Sequence, residues 1–227
     1  MKRPIVELYN HYQIPENLKQ HLLTVAAIGL TIVQNWDTAA ALDNELILTT
    51  LLTHDLGNLA KFDLDSPLSR HYLGEQDLDY WRQRQQQFRE KYGHDDHQAN
   101  LKIVQELGLP QAVTEILKRQ SFVNLPDLLQ SVKPHTWETK ICLYSDLRVT
   151  PSGLASIESR INDLQKRYGY RDIKWQNAET VKKWHQQSAV LEAQLNQKTT
   201  ISLPDLSMKK IAPLITGLTR YQIETTL

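Results

Sequence analysis

Residues 16–36, directly after Pro15, set Leu18, Leu22, Val25, Ala26, Gly29, Ile32 and Val33 at steps of three and four. That spacing lays them along one stripe of an α-helix but scatters them over both faces of a strand, so the segment buries itself well only as a helix. The pattern recurs. Residues 43–56 open at Asp43, a capping residue type, and run through Leu46, Ile47, Leu48, Leu51 and Leu52 to Gly57. Residues 75–91 predict a largely exposed helix, and DDHQANLKIVQELGL predicts a helix closed by Gly108 with Pro110 beyond. A short helix is expected over 111–119 and another over 136–149, with helicity resuming at Leu154, Ile157, Ile161 and Leu164. Residues 177–197 predict a last long helix with Val181, Trp184, Ser188, Leu191 and Leu195 along one seam. Residues 120–135, with Pro126 and Pro134, read as irregular, and Pro151-Ser152-Gly153 as a break between helices. Only 8 glycines and no alternating β-branched runs joined by tight turns leave little for a sheet. The expected class is all-α: one domain over 1–170, with a C-terminal helical extension over 171–227 packed on it.

Composition removes several functions. Lys+Arg and Asp+Glu both number 26, so no basic surface displaces counterions and a nucleic-acid partner is not expected. The single cysteine, Cys142, permits neither an internal disulfide nor a zinc-finger framework and suits a reducing compartment. No apolar run reaches membrane-spanning length and the N-terminus lacks a continuous apolar stretch. The expectation is a cytoplasmic protein with no membrane partner.

Two His-Asp pairs occur, where 8 histidines in 227 residues give about half a pair by chance. His94-Asp95 follows Gly93 and opens a polar helical turn, where Asp95 and Asp96 suit the helix dipole; it reads as surface. His54-Asp55 stands instead inside TLLTHDLGNLAKFD, residues 50–63, at the end of the most apolar helix. On that helix His54 stacks over Leu51 and Ile47, and Asp55 over Leu52, Leu51 and Leu48. A carboxylate buried there demands a partner, and a divalent cation is a natural one, since imidazole and carboxylate together suit Mn, Fe, Co, Ni or Zn. His21 shares a face with Val25, Ile28 and Ile32, and Asp146 lies within KICLYSDLRV, with Cys142 and Leu143 a turn before it. For Asp146 the competing protein partners are Lys140, Arg148 or a helix N-terminus.

His21, then His54-Asp55, then Asp146, each on an apolar helical segment, is an order that resembles the HD superfamily of metal-dependent phosphohydrolases. In that family a first-helix His, a His-Asp pair ending a second helix and a later Asp converge on one metal inside a helical bundle. The resemblance covers roughly residues 16–168. HDLGNLAKF is similar to the HDIGK variant of the motif, with Asn58 where a lysine is common and Lys61 as its phosphate-side substitute. HDDHQANLKIVQELGLP resembles a stretch that carries an additional histidine, and His97 aligns with it as a metal or phosphate contact. Where two-metal members place a further histidine, this chain reads ILKRQSFVN, with Arg119 and Gln120, which implies a single ion. YSDLRVTPSGLASIESRINDLQKRY is similar to the YAD-R-V ending of a group of bacterial HD proteins.

The resemblance implies one divalent transition metal ion, or Mg, and hydrolysis of a phosphomonoester or phosphodiester by a metal-activated water. The implied partner is a small phosphorylated substrate, of the nucleotide class or a related metabolite, and an oligomer is compatible with it. Asp55 would both ligate and aid proton removal, with Glu75 and Asp77 as further acid/base candidates. Lys61, Asn58 and Arg148 would face the phosphate, and His71, between the motif and the next helix, is a further contact candidate. The alternative is a non-catalytic HD scaffold that binds a nucleotide or a protein. Metal-dependent oxidation would need a second cation.

Overall fold

The apolar stripes become helices almost where the spacing sets them. The computed structural model describes residues 1–37, 41–66, 73, 78–170 and 172–227. The chain runs through β1 (Lys2–Pro4), α1 (Ile5–His11), α2 (Glu16–Gln34), α3 (Asn44–Thr53) and a 3₁₀ turn, η1 (Asn58–Lys61). It continues through α4 (Leu78–Tyr92), α5 (Asp96–Glu106), α6 (Gln111–Arg119), α7 (Leu125–Gln130) and α8 (Thr136–Leu147). A hairpin of β2 (Val149–Thr150) and β3 (Gly153–Leu154) leads to α9 (Ile157–Tyr168), α10 (Ile173–Gln176), α11 (Ala178–Asn196), α12 (Met208–Leu218) and β4 (Gln222–Glu224). The protein is mostly helical, and no described helix is long and apolar enough to cross a membrane.

Caps explain the starts. Asp43 accepts from Leu46 N at 2.9 Å, Asp95 from Gln98 N at 2.7 Å and Ser156 from Ser159 N at 3.1 Å. Gly108 closes α5 in the left-handed region, at φ +66°.

Three expectations are corrected. The segment 120–135 is not irregular throughout: Pro126 opens α7, where a missing N–H costs nothing in the first turn. The Pro151–Gly153 break is the corner of a hairpin pairing Val149 with Leu154, and Gly153 at φ +106° makes its turn. Helix α4 is not simply exposed; it buries Trp81, Gln85, Phe88 and Tyr92 along one stripe that faces η1. The tail from 198 also carries more structure than its prolines suggest. Helix α12 packs on α2, and β4 pairs antiparallel with β1, Arg3 opposite Ile223.

The centre of the molecule is the crossing of α2 with α3 and α8. Gly29 makes it possible. A Cβ at Gly29 would lie 2.2 Å from Leu51 Cδ1 on α3 and 3.4 Å from Ser145 Oγ on α8. Leu51 and Ser145 are both fully buried, so neither can step aside freely. Gly29→Ala is therefore expected to cost about 1–3 kcal/mol, as over-packing of a tight core does. Urea unfolding measures it; an unchanged midpoint would show that the crossing has slack.

Candidate metal centre

Helix α3 ends at Thr53, and its last carbonyls have no partner within the helix. Side chains take them. Tyr9 OH donates to Leu52 O at 2.9 Å, and His54 Nδ1 donates to Leu51 O at 2.7 Å. A neutral imidazole bonded this way carries its proton on Nδ1 and presents a lone pair at Nε2. His54 caps α3 and Asp55 follows it into the turn.

The turn is then pinned from outside. Gly57 N donates to Asn100 Oδ1 on α5 at 3.1 Å. A Cβ at Gly57 would sit 2.2 Å from Asp96 O and 2.5 Å from Asn100 N, so backbone lies against backbone here and only glycine fits. From α4, Gln85 donates to Leu59 O and Phe62 O at 2.8 Å each, and Arg89 donates to Ala60 O.

The crossing brings four side chains together. His21 Nε2 lies 3.3 Å from Asp146 Oδ1 and 3.6 Å from Asp55 Oδ2. His54 Nε2 lies 3.6 Å from Asp146 Oδ1 and 3.7 Å from Asp55 Oδ2. The ligand atoms of His21, His54 and Asp55 fall within 4.8 Å of one another. Three of the facing atoms, His21 Nε2, His54 Nε2 and Asp146 Oδ1, are buried without a hydrogen-bond partner. Buried polar atoms are rarely left so, and the donors of His21, His54 and Asp55, with Asp146 beside the two imidazoles, form a group that could hold a metal ion.

Without a metal the charges are already in tension. Burial pulls the His54 pKa down, but Asp55 and Asp146 beside it outweigh burial and raise it to about 9. Burial would raise the Asp146 carboxyl; the imidazoles of His21 and His54 and the Arg160 guanidinium hold it well below the usual range. Burial would likewise raise Asp55, yet the charges of His54 and Lys61 leave it lowered, against the opposing push of Asp146.

A second ring of side chains surrounds the four. Asn58 Nδ2 donates to Asp55 Oδ2 at 2.6 Å, so this residue orients a carboxylate, a contact the sequence had assigned to phosphate. Lys61 Nζ reaches Asp96 Oδ2 at 2.7 Å; burial would lower its pKa, but Asp55, Tyr168 and Asp96 keep it charged. Arg160 Nη2, on α9, lies 3.5 Å from Asp146 Oδ1 and was not singled out from the sequence as a site residue. Its only sequence signal was membership of the SRINDLQKRY ending.

Other candidates lie elsewhere. Arg148 is buried and donates to Ala155 O at 2.7 Å, Leu203 O at 2.6 Å and Tyr144 OH. It borders a separate cavity of about 520 Å³ with His185 and Glu192, among whose lining residues none of the four cluster side chains appears. It braces the α8–hairpin corner, a correction to its assignment as a phosphate contact. His97 is exposed on α5 and is not among the grouped ligands. Arg119 donates to Pro134 O and to Thr136 Oγ1, bracing the entry to α8. His71, Glu75 and Asp77 fall outside the described residues.

Comparison with protein-family models, with curated proteins and with solved structures finds no match to this chain.

Three outcomes follow from this geometry. Because His54 is protonated near neutrality, a cation at Nε2 must displace a proton, so affinity should rise about tenfold per pH unit from about 6.5 to 8. Titration calorimetry in buffers of different ionisation enthalpy should find about one proton released; no release would contradict it. The linkage in the metal-free chain runs the other way: stability from His54 is complete below its ordinary 6.5 and is lost as pH rises through about 9. Stability from Asp55 and Asp146 is present above their ordinary 3.8 and lost on acidification. Arg148→Met should cost about 3 kcal/mol through three abandoned acceptors while leaving Mn²⁺ affinity within about threefold. Urea unfolding and metal titration of the same variant check both halves.

Proposed function

We propose that the chain is a metal-dependent phosphohydrolase built on the helical bundle of the HD superfamily, acting on a phosphomonoester or phosphodiester of a nucleotide or related metabolite. The observation that carries this reading is the convergence of His21 from α2, His54 and Asp55 from the end of α3, and Asp146 from α8, with three facing atoms buried and unbonded. These four residues would hold the ion. Two nitrogen and two oxygen donors suit Mn, Fe, Co, Ni or Zn better than Mg, which prefers an oxygen shell. A single ion accords with an exposed His97 and with an Arg119 engaged by the 131–136 turn.

A divalent cation bound there supplies an acidified water and a Lewis acid for the phosphoryl oxygen. The chain's own residues do the rest. The Leu51 carbonyl keeps the His54 ring in the tautomer that offers Nε2. Asn58 fixes the Asp55 carboxylate, which would also serve as base for a proton leaving water. Lys61, held charged between Asp55 and Asp96, adds a permanent cation beside the site, which favours an anionic substrate over a neutral one.

Metal analysis of the purified chain should find about one divalent ion per molecule, and a panel of nucleotides and aryl phosphates should include a hydrolysed substrate. Asp55→Ala should lower that turnover by about two orders of magnitude or more while the helical circular dichroism is kept. A chain that retains no divalent metal overturns the reading. Full metal occupancy with no turnover of any phosphoester points to the non-catalytic scaffold.

A further inference from the structure

Three cationic side chains are buried among the described residues besides the histidine of the cluster: Lys140, Arg148 and Arg160. Lys140 donates to the Leu129 carbonyl and Arg148 to three acceptors. Arg160 differs. It is 9% exposed, its Nε is buried with no hydrogen-bond partner, and its terminal nitrogens only approach carboxylates, Asp146 Oδ1 and Asp163 Oδ2, at 3.5 Å each. Both separations exceed a normal N–H···O bond.

Both carboxylates are shared with other side chains. Asp163 already accepts from Arg167 Nε and Nη2 at 2.9 and 2.6 Å. Asp146 turns the same Oδ1 towards His21 and His54. A planar fork of five donors therefore stands at the edge of the cluster with its Nε buried and unbonded and its terminal nitrogens only loosely paired. Burying a guanidinium with no acceptor at normal bonding distance is unfavourable unless one arrives. The acceptor that matches a fork is a flat or tetrahedral oxyanion with two oxygens about as far apart as the two nitrogens, as in phosphate. The place also matters: α9 folds back on α8 through the hairpin, so the fork stands beside a cluster residue, not on a remote surface.

We infer that Arg160 is the phosphate-binding residue of this site, its guanidinium taking two oxygens of the phosphoryl group next to the ion held by His21, His54, Asp55 and Asp146. The assignment rests on the metal-site reading above. It gives Arg160 contact with the substrate and with the phosphate product, and it distinguishes Arg160 from Asn58, which only orients Asp55.

The test measures binding, not turnover. Inorganic phosphate is titrated into Mn²⁺-loaded wild-type, Arg160→Lys and Arg160→Ala chains by calorimetry, and Mn²⁺ is titrated into each metal-free chain. Arg160→Lys keeps the charge and removes the fork; phosphate affinity should fall about tenfold or more while Mn²⁺ affinity stays within about threefold. For Arg160→Ala, added methylguanidinium should restore part of the lost phosphate affinity. Unchanged phosphate affinity in both variants overturns the inference. So does an equal fall in Mn²⁺ and phosphate affinity, which would mean that Arg160 merely holds Asp146. Failure of the wild-type chain to bind Mn²⁺ at all overturns the metal-site reading itself, and is recognised before phosphate is added.

Discussion

Two imidazoles and two carboxylates face one another at 3.3–3.7 Å where three helices of this molecule cross. Their mutual compensation is the constraint on which much else depends. Imidazolium against carboxylate satisfies the charges only in part, because three of the facing atoms make no hydrogen bond. The surrounding fold limits the damage at every side. The Leu51 carbonyl, freed by the end of α3, fixes one ring; Asn58 fixes one carboxylate; Lys61 and Arg160 add positive charge beside the pair of acids. The charges thus stabilise the fold while leaving directed, unbonded atoms in one place, an arrangement commoner at sites than in cores.

The crossing of α2, α3 and α8 delivers this geometry, and most of it was legible in the sequence. Apolar residues at steps of three and four gave the helices, and polar residues interrupting those stripes gave His21, His54, Asp55 and Asp146. A helix stripe is a local property, so it can be read locally. The caps at Asp43 and Asp95 were legible for the same reason. The short hairpin, α7 and the pairing of β1 with β4 were not. Their residues are few, and each depends on a contact distant in sequence: Lys2 lies opposite Glu224.

The two arginines near Asp146 show where sequence proximity misleads. Arg148 stands two positions from Asp146, yet it turns away and bonds to Leu203, Ala155 and Tyr144. Arg160 stands on the next helix, and the hairpin carries it back to the same carboxylate. No pattern in the sequence encodes that return. It follows from a two-residue corner with Gly153 in a left-handed conformation.

The bare backbone contact at Gly57 has a mechanical meaning. Asp55 is positioned less by the helix that precedes it than by α5, a helix that contributes none of the four clustered side chains but presses Asp96 and Asn100 against the turn. No side chain lies between the two segments, so backbone packs directly on backbone. At its other end α5 is seated by the 107–108 corner, where Thr225 and Thr226 bond to the Leu107 carbonyl. The inner cluster thus takes part of its shape from a helix that supplies none of its four side chains.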